Sequence, residues 1–355
     1  MPEIVDRNAL LTQIRKEFGD TSMFLLGQTD RLDIEVRPSG SLMLDIALGG
    51  GYPKGRVVEL RGGERAGKTT LLNLAIAEAQ RNEPEKECAI IDLENTWNPE
   101  WARTLGVDTE ALFISQPETY AEKVFQLLEY LIKSKRFSII GLDSVAGLVT
   151  KEELEQDDWA KESRVGGTSK LNAKAMRKLV NSGILTASGT TLIFINQLTD
   201  KIGGFSMYGT PTDTKGGRAL KHAYTIQIDV SIGEYFAKGT GDSRVVLGQQ
   251  IKTKVAKNKI AAPHKQAKID LYYEGGMDRI VETIAVAKEI GVLHGTSWLT
   301  FMNPLTGEIF QDENEKDIRF NGKDKTKEAM IDDIQNNDAK LYTQLSEVVQ
   351  EVLRG

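Results

Sequence analysis

Short apolar runs alternate with stretches of helical periodicity from about residue 34 onward. The apolar runs lie at residues 57–60, 89–93, 138–142 and 191–195. They are rich in β-branched residues and show no regular polar face, as strands do when helices cover both sides of their sheet. The pattern predicts an α/β fold built on a mostly parallel, doubly wound sheet.

The start of the chain follows a different pattern. Residues 8–18 carry four apolar side chains at helical spacing, Leu10, Leu11, Ile14 and Phe18. They predict a short amphipathic helix. Its apolar stripe needs a covering surface, either on its own domain or on a neighbouring subunit.

The last part of the chain, from about residue 271, is mainly helical in character, with a short strand-and-turn passage at 298–310. This composition predicts a separate, small α/β domain. The sequence therefore divides into three predicted parts: 1–33, 34–270 and 271–355.

The composition is that of a globular protein, with 40% hydrophobic and 27% charged residues among 355. The formal net charge of −6 excludes nucleic-acid binding by overall charge, so DNA contact requires a localised basic or backbone-amide surface. The single cysteine, Cys88, excludes an intramolecular disulfide and fits a reducing cytosol, and we expect it to be buried. No apolar run approaches the roughly 20 residues that span a bilayer. We expect a cytoplasmic protein with no membrane contact.

The strongest chemical motif is a glycine-rich loop between a predicted strand and a predicted helix. It has the full pattern G-x-x-x-x-G-K-T of a phosphate-binding P-loop. The backbone amides of such a loop face phosphates, Lys68 neutralises the β and γ oxygens, and Thr69 can bind Mg²⁺. The loop predicts a site for ATP and Mg²⁺ formed by Gly62, Gly63, Glu64, Arg65, Ala66, Gly67, Lys68, Thr69 and Thr70.

Polar residues follow the other three apolar runs: Glu94, Asp143 and the pair Asn196-Gln197. Ligands of a doubly wound sheet bind at the carboxyl ends of its strands, so we expect these side chains beside the P-loop. Asp143 would organise Mg²⁺ through water, together with Thr69. Glu94 and the amide side chains would lie where water is activated and the γ-phosphate is sensed.

Four passages outside these motifs carry a specific resemblance. They read SGSLMLDIALGG at 39–50, AMRKL at 175–179, LIFINQ at 192–197 and KNKIAAP at 257–263. In residue identity, order and spacing, these four passages resemble the corresponding segments of the bacterial RecA family. The resemblance covers roughly residues 10–290 and is loose beyond them.

The resemblance implies a RecA-type P-loop ATPase core with an N-terminal helix arm and a small C-terminal α/β domain. It implies an ATP-dependent recombinase that forms helical filaments on single-stranded DNA, pairs it with homologous double-stranded DNA and exchanges strands. ATP with Mg²⁺ would be hydrolysed between neighbouring subunits in response to DNA. Residues 1–33 would form a polymerisation arm and 271–355 a region for duplex capture. Single-strand-binding and loader proteins stay open as further partners.

The roles of the family's residues carry over where its motifs match. Glu94 resembles the carboxylate that activates the attacking water, and Gln197 resembles the γ-phosphate sensor that couples the nucleotide to the second DNA-binding loop. Trp101 stands where the family stacks an aromatic ring on adenine. Lys257 and Lys259 resemble lysines that reach the γ-phosphate of the neighbouring subunit, in the manner of arginine fingers.

Two glycine-rich polar stretches, 155–168 and 199–217, match the family's first and second DNA-binding loops. Lys170 and Arg177 lie seven residues apart on one predicted helical face, from which both can point toward a phosphate backbone. The other residues implied to contact DNA are two apolar wedges and the end of the second loop: Val165, Ile202, Gly216, Gly217 and Arg218.

Three departures from the family are visible in the sequence. The second loop is slightly longer, and it carries Thr199 and Asp200 where a basic and an apolar residue are usual. Asn98 stands where an aspartate commonly contacts adenine, which bears on the choice of nucleotide base. The chain ends at Gly355 without the acidic tail common in bacterial members. The missing tail, together with the divergent final domain, favours a phage-encoded or otherwise specialised member.

Two other functions share the same kind of nucleotide site. A ring helicase on this core would unwind duplex DNA and form closed rings, whereas a recombinase forms open helices. The N-terminal helix favours the filament, because such an arm can link successive subunits. A DNA-coating scaffold that binds nucleotide without turnover would not need Glu94, which argues against it.

Overall fold

The computed structural model describes residues 6–19, 23, 25, 34–117, 120–155, 167–200, 212–214, 217–239 and 243–354. Contacts divide the chain into two compact units, Met1–Glu35 and Val36–Gly355. The helices are α1 Arg7–Phe18, α2 Leu42–Leu48, α3 Lys68–Asn82, α4 Pro99–Thr104, α5 Ala121–Lys133, α6 Lys151–Leu154, α7 Gly167–Met176, α8 Ile184–Ser188, α9 Gly217–Ala223, α10 Arg279–Glu289, α11 Gly322–Asn336 and α12 Lys340–Arg354. A π-helix, Arg177–Asn181, continues α7, and a 3-10 turn spans Val145–Gly147.

The strands are β1 Val36–Arg37, β2 Tyr52–Pro53, β3 Val57–Gly62, β4 Glu87–Asp92, β5 Leu112–Ser115, β6 Phe137–Asp143, β7 Thr191–Asp200, β8 Thr212–Thr214, β9 Ile226–Lys238, β10 Val245–Asn258, β11 Gln266–Tyr272, β12 Gly276–Met277, β13 Leu293–His294, β14 Trp298–Phe301 and β15 Arg319–Asn321.

The first unit contains α1, the amphipathic helix that the sequence predicts. Asp6 caps its N-terminus, because the carboxylate accepts hydrogen bonds from the amides of Asn8 and Ala9. None of the residues of α1 is buried, and Leu10 and Phe18 are 45% and 69% exposed. The apolar stripe of this helix is therefore largely exposed.

A central sheet organises the second unit. Its strands lie in the order β12-β11-β10-β9-β3-β7-β6-β4-β5, and β8 pairs with β7 outside this path. The strands from β9 to β5 in this order run parallel. Strands β10, β11 and β12 extend the sheet in antiparallel fashion. The four apolar runs of the sequence correspond to β3, β4, β6 and β7, so the predicted doubly wound α/β fold is confirmed.

Both faces of the four apolar strands β3, β4, β6 and β7 are covered, which is why their sequences show no regular polar face. Val58 and Leu60 lie in one hydrophobic cluster with residues of α3, whereas Val57 lies in another cluster with residues of α5. Gly141 in β6 allows α3 to approach closely, since a Cβ there would lie 2.6 Å from Cδ2 of Leu72. A larger side chain at this position would push α3 away from the sheet.

A buried arginine ties the short strand β1 to the main sheet. The Arg37 guanidinium is 2% exposed and pairs with both carboxylate oxygens of Glu83, at 3.0 and 3.2 Å. It also donates to the hydroxyl of Thr191 at 2.6 Å and to the carbonyl oxygens of Ser138 and Gly189. A planar group with five N–H donors is suited to satisfying this many acceptors at once.

Arg37→Lys should lower the free energy of unfolding by about 2 kcal/mol, because an ammonium group cannot reach all these acceptors and leaves buried groups unpaired. Urea denaturation followed by circular dichroism measures this loss. The matched control is Arg136→Lys, since Arg136 pairs with Glu87 at the surface and is 69% exposed. The control should change stability by less than about 0.5 kcal/mol. Equal unfolding midpoints for the two variants would contradict the structural role of Arg37.

The last part of the chain has a hydrophobic cluster of its own. Strands β13, β14 and β15 form an antiparallel sheet, and α10, α11 and α12 share a core with its residues Leu299 and Phe301. Glu282 of α10 joins this part to α2, because its carboxylate accepts from the amides of Leu42 and Met43. Burial raises the pKa of this carboxyl group. The small C-terminal α/β region is present, while its exact boundary with the core stays a prediction.

Candidate nucleotide site

The glycine-rich loop joins β3 to α3 at the carboxyl edge of the sheet. Gly67 has a φ of 99°, which favours glycine, and a Cβ there would lie 2.5 Å from Cδ1 of Ile251. Gly62 is restricted as well, since a Cβ would meet the carbonyl oxygen of Val230 at 2.0 Å. No side chain caps the start of α3, so its first amides and its positive dipole end suit an anion. Of the other loop residues, Gly63, Glu64 and Arg65 are exposed and Ala66 is buried.

Lys68 and Thr69 begin helix α3. Nζ of Lys68 donates to the carbonyl oxygens of Gly62 and Gly63, at 3.1 and 2.6 Å, and burial lowers the pKa of this lysine. Oγ1 of Thr69 donates to Oδ2 of Asp143 at 2.8 Å. A hydroxyl and a carboxylate oxygen side by side at a phosphate-binding loop fit Mg²⁺, either directly or through water.

Asp143 lies at the last position of β6 and is 8% exposed. Burial raises the pKa of Asp143 to about 6, and the hydrogen bond from Thr69 acts in the opposite direction. The carboxyl group is therefore mostly ionised at neutral pH, as a magnesium ligand needs to be.

Glu94 lies at the same edge and contacts two polar side chains. Nε2 of Gln197 donates to Oε1 of Glu94 at 3.3 Å, and Oγ of Ser144 donates to the same oxygen. Buried Asp92 holds the loop that carries Glu94, because its carboxylate accepts from the amides of Glu94 and Trp97, each at 3.1 Å. The structure brings Glu94 and Gln197 together. The sequence did not identify Ser144 or Asp92 as candidates, although Ser144 directly follows Asp143 and Asp92 lies two residues before Glu94.

A cavity of about 630 Å³ opens beside the loop, and Trp101, Tyr235 and Tyr273 contribute to its lining. Nε1 of Trp101 donates to Oγ1 of Thr70 at 3.3 Å, which orients the indole ring. Asn98 is not among the described lining residues, and its Oδ1 instead accepts from the amide of Trp101 at 3.0 Å and caps α4. The two tyrosines lie on or after distant strands, and no local motif in the sequence points to them.

Lys257 and Lys259 lie at the end of β10 and directly after it. Nζ of Lys257 donates to the carbonyl oxygen of Lys221 at 2.6 Å, and Nζ of Lys259 to that of His222 at 2.9 Å. Both acceptors belong to the last turn of α9, whose negative dipole end suits cations. Burial, and then the charge of Lys259, lower the pKa of Lys257. Neither lysine belongs to the described lining of the P-loop cavity in its own chain.

The candidate DNA-binding residues that the structure describes lie on two neighbouring helices. Lys170 and Arg218 are exposed in the first turns of α7 and α9, and Arg177 is exposed at the start of the π-helix. Gly217 has a φ of 82°, and a Cβ there would lie 2.8 Å from Oγ of Ser169. The starts of the two helices, which follow the two predicted DNA-binding loops, are therefore close together. Three further candidates lie outside the described residues: Val165, Ile202 and Gly216.

A strand, P-loop and helix, with a hydroxyl–carboxylate pair and polar residues at the ends of adjacent parallel strands, define a P-loop ATPase. The family model described as the RecA N-terminal domain matches residues 6–278. The chain belongs to the RecA family, whose members are ATP-dependent DNA recombinases.

Curated relatives support the same assignment. Protein RecA of Salinispora tropica is 42% identical over 300 residues, which cover 84% of this chain and 82% of that protein. Protein RecA of Ruminococcus albus is 38% identical over 321 residues, covering 90% and 74%. Protein RecA of Mesoplasma florum is 41% identical over 300 residues, covering 84% and 86%.

The family assignment makes this chain a DNA-dependent ATPase that acts in recombination, and it favours the recombinase over the ring helicase and the inert scaffold. In the described part of the chain, no helix combines the length and the apolar character that crossing a bilayer requires.

Proposed function

We propose that the cavity beside the P-loop binds ATP with Mg²⁺ and that the protein hydrolyses this ATP in a filament on DNA. The loop amides and the start of α3 hold the phosphates, and Lys68 balances charge on the β and γ oxygens. Thr69 and Asp143 hold Mg²⁺, which supplies further positive charge at the phosphates when bound. The observation that carries the proposal is the convergence of Lys68, Thr69, Asp143, Glu94 and Gln197 on one sheet edge.

Glu94 activates the attacking water, and Gln197 senses the γ-phosphate. Gln197 lies on β7, which leads into the second predicted DNA-binding loop. A change of contact at the γ-phosphate can therefore alter the position of that loop, and by linkage DNA on the loop alters the hydrolytic site. Trp101 stacks on adenine, and Tyr235 and Tyr273 add aromatic surface to the same cavity.

Lys257 and Lys259 act on the ATP bound by the neighbouring subunit. Their separation from the described lining of their own chain's cavity supports this assignment. Residues 1–33 form the arm that links successive subunits, which agrees with the exposed apolar side chains of α1. Hydrolysis at full rate then requires the assembled filament.

Single-stranded DNA binds along the two loops, and homologous double-stranded DNA is paired with it, with capture assisted by residues 271–355. Backbone contacts come from the basic side chains and the glycine amides at the loop ends, while apolar residues wedge between bases. The residues assigned to this surface are Val165, Lys170, Arg177, Ile202, Gly216, Gly217 and Arg218. Cytoplasmic location and contacts with single-strand-binding or loader proteins are part of the same proposal.

The measurement that tests the proposal is ATP hydrolysis with and without single-stranded DNA, followed by strand exchange between homologous DNAs. DNA should stimulate hydrolysis, because β7 joins Gln197 to a DNA-binding loop. Strand exchange should occur with a homologous duplex and not with a heterologous one, which is the control.

Hydrolysis that DNA leaves unchanged at every salt concentration would refute the proposal. Unwinding of duplex DNA by closed rings would support the helicase instead, and nucleotide binding without turnover would support the scaffold.

A further inference from the structure

A buried carboxylate lies at the centre of the sheet, outside every motif described above. Glu59 is on β3, three residues before the P-loop begins at Gly62, and its side chain is 0% exposed. Its Oε1 accepts a hydrogen bond from Nδ2 of Asn196 on β7 at 2.9 Å, and its Oε2 accepts from Nε2 of Gln227 on β9 at 2.7 Å. One side chain thus joins the two strands that flank β3.

Burying a carboxylate at position 59 costs free energy that an apolar residue would not. A carboxylate loses its hydration when it is buried, and even good partners recover only part of that loss. Val58 and Leu60, the neighbours of Glu59 along β3, are fully buried apolar residues. An acid among them calls for a reason beyond packing.

The Asn196 side of Glu59 leads to the hydrolytic site of the same chain. Because Nδ2 of Asn196 points to Glu59, its Oδ1 is left to accept from the amide of Gln197, at 3.0 Å. Nε2 of Gln197 in turn donates to Oε1 of Glu94 at 3.3 Å. Glu59 therefore sets the orientation of the amide that precedes the γ-phosphate sensor.

The hydrogen bond between Glu59 and Gln227 connects Glu59 to Lys257, the lysine proposed to act on the neighbouring subunit's ATP. Gln227 pairs in register with Glu59 across β3 and β9, and with Lys257 across β9 and β10. Lys257 also feels the charge of Glu59, which acts to raise its pKa against the lowering effect of burial. Glu59 thus lies one strand away from Gln197 on β7 and two strands away from Lys257 on β10, with Gln227 of β9 between them.

We infer that Glu59 is a positioning residue that couples the two catalytic contributions of one subunit, Gln197 at its own ATP and Lys257 at its neighbour's ATP. A shift of Gln197 on reaching the γ-phosphate moves Asn196, and the hydrogen-bonded Glu59 and Gln227 carry that shift toward Lys257. Occupation of one nucleotide interface thereby favours the next along the filament. This inference rests on the proposed action of Lys257 between subunits.

The test compares Glu59→Gln with Asp229→Asn. The first variant keeps the size of the side chain but presents an N–H₂ group to one of the two amide donors, which breaks one link. The control removes a carboxylate that joins β9 to β3 two residues further along both strands, where Asp229 pairs with Arg61 at 2.6 Å. Hydrolysis on single-stranded DNA is measured as a function of ATP concentration, with binding of a fluorescent ATP analogue without DNA measured separately.

The parent protein and Asp229→Asn should show a Hill coefficient above 1. Glu59→Gln should bring the coefficient close to 1 and lower the maximal rate by about tenfold, the size of a typical coupling between sites. Its affinity for the ATP analogue should stay within about twofold, because Glu59 does not line the P-loop cavity. A purely structural role would lower binding and rate together and would leave the Hill coefficient unchanged.

Gln227→Met serves as the second variant. It removes only the hydrogen bond from Gln227 to Glu59, on the side of Lys257, and it should also reduce the Hill coefficient. An unchanged Hill coefficient in both folded variants would overturn the inference, as would a coefficient of 1 in a parent protein that DNA stimulates. A parent protein that DNA does not stimulate at all would instead refute the proposed function, so the two failures are distinguishable.

Discussion

Replacing Lys68 with alanine should reduce DNA-stimulated ATP hydrolysis by about 1,000-fold, which is the upper range for loss of one preorganised charge-stabilising group. Nζ of Lys68 is already held at the loop carbonyls of Gly62 and Gly63, so the charge is in place before the reaction. The rate of hydrolysis should fall this far because, without Lys68, the negative charge that accumulates on the β and γ oxygens during the reaction is no longer balanced. Steady-state hydrolysis on single-stranded DNA measures the effect.

Two comparisons make this result specific. Lys133→Ala is the matched control, since Lys133 is 57% exposed and pairs with Glu129 on the surface of α5, and it should leave hydrolysis within about twofold of the parent rate. The variant at position 68 should also lose more affinity for ATP than for ADP, because only ATP carries the γ-phosphate. A Lys68→Ala protein that folds and hydrolyses ATP at the parent rate would rule out the P-loop as the catalytic site.

The nucleotide site is the part of this protein that sequence predicts best, because its chemistry is local. The loop from Gly62 to Thr69 is contiguous, and the strand-to-helix context needed for phosphate binding is visible on either side of it. Asp143, Glu94 and Gln197 follow from one further rule, that parallel strands present their carboxyl ends at a common edge. The structure brings all three to that edge.

Residues that act across several strands could not be predicted in this way. Glu59 interrupts an apolar run and looks like an isolated polar position until the order β9-β3-β7 places an amide on each side of it. Arg37 likewise meets its partners only after distant segments have packed together. Tyr235 and Tyr273 reach the nucleotide cavity because β9, β10 and β11 extend the sheet beyond β3. Sheet order is a long-range property, and no local pattern encodes it.

For Asn98, in contrast, the family resemblance implies a role that the local geometry does not support. Its family position implies contact with adenine, yet its side-chain oxygen accepts from the amide of Trp101 as the N-cap of α4. Asparagine is among the best capping residues, so local hydrogen bonding accounts for it. The contribution of Asn98 to base recognition therefore stays a prediction.

The assignment of Lys257 to the neighbouring subunit makes the second large prediction. Lys257→Ala and Glu94→Gln should each lower hydrolysis by about 1,000-fold, because one removes a charge acting between subunits and the other removes the general base. Mixed in equal amounts, the two inactive proteins should regain activity at about one quarter of the interfaces, since random assembly pairs an intact Glu94 with an intact neighbouring Lys257 that often. Hydrolysis as a function of the mixing ratio measures this recovery.

Recovered hydrolysis in the mixture is possible only if Glu94 and Lys257 of different chains act on the same ATP. If both residues served the same chain's ATP, every subunit in the mixture would stay defective, and activity would remain at the level of the separate variants. The double variant Glu94→Gln/Lys257→Ala provides the control, because mixing it with either single variant creates no complete interface. Energy transfer between labelled subunits confirms that the mixture assembles together. Mixed filaments without recovered hydrolysis would place Lys257 in a structural role at the end of α9, where its Nζ already donates to the carbonyl oxygen of Lys221.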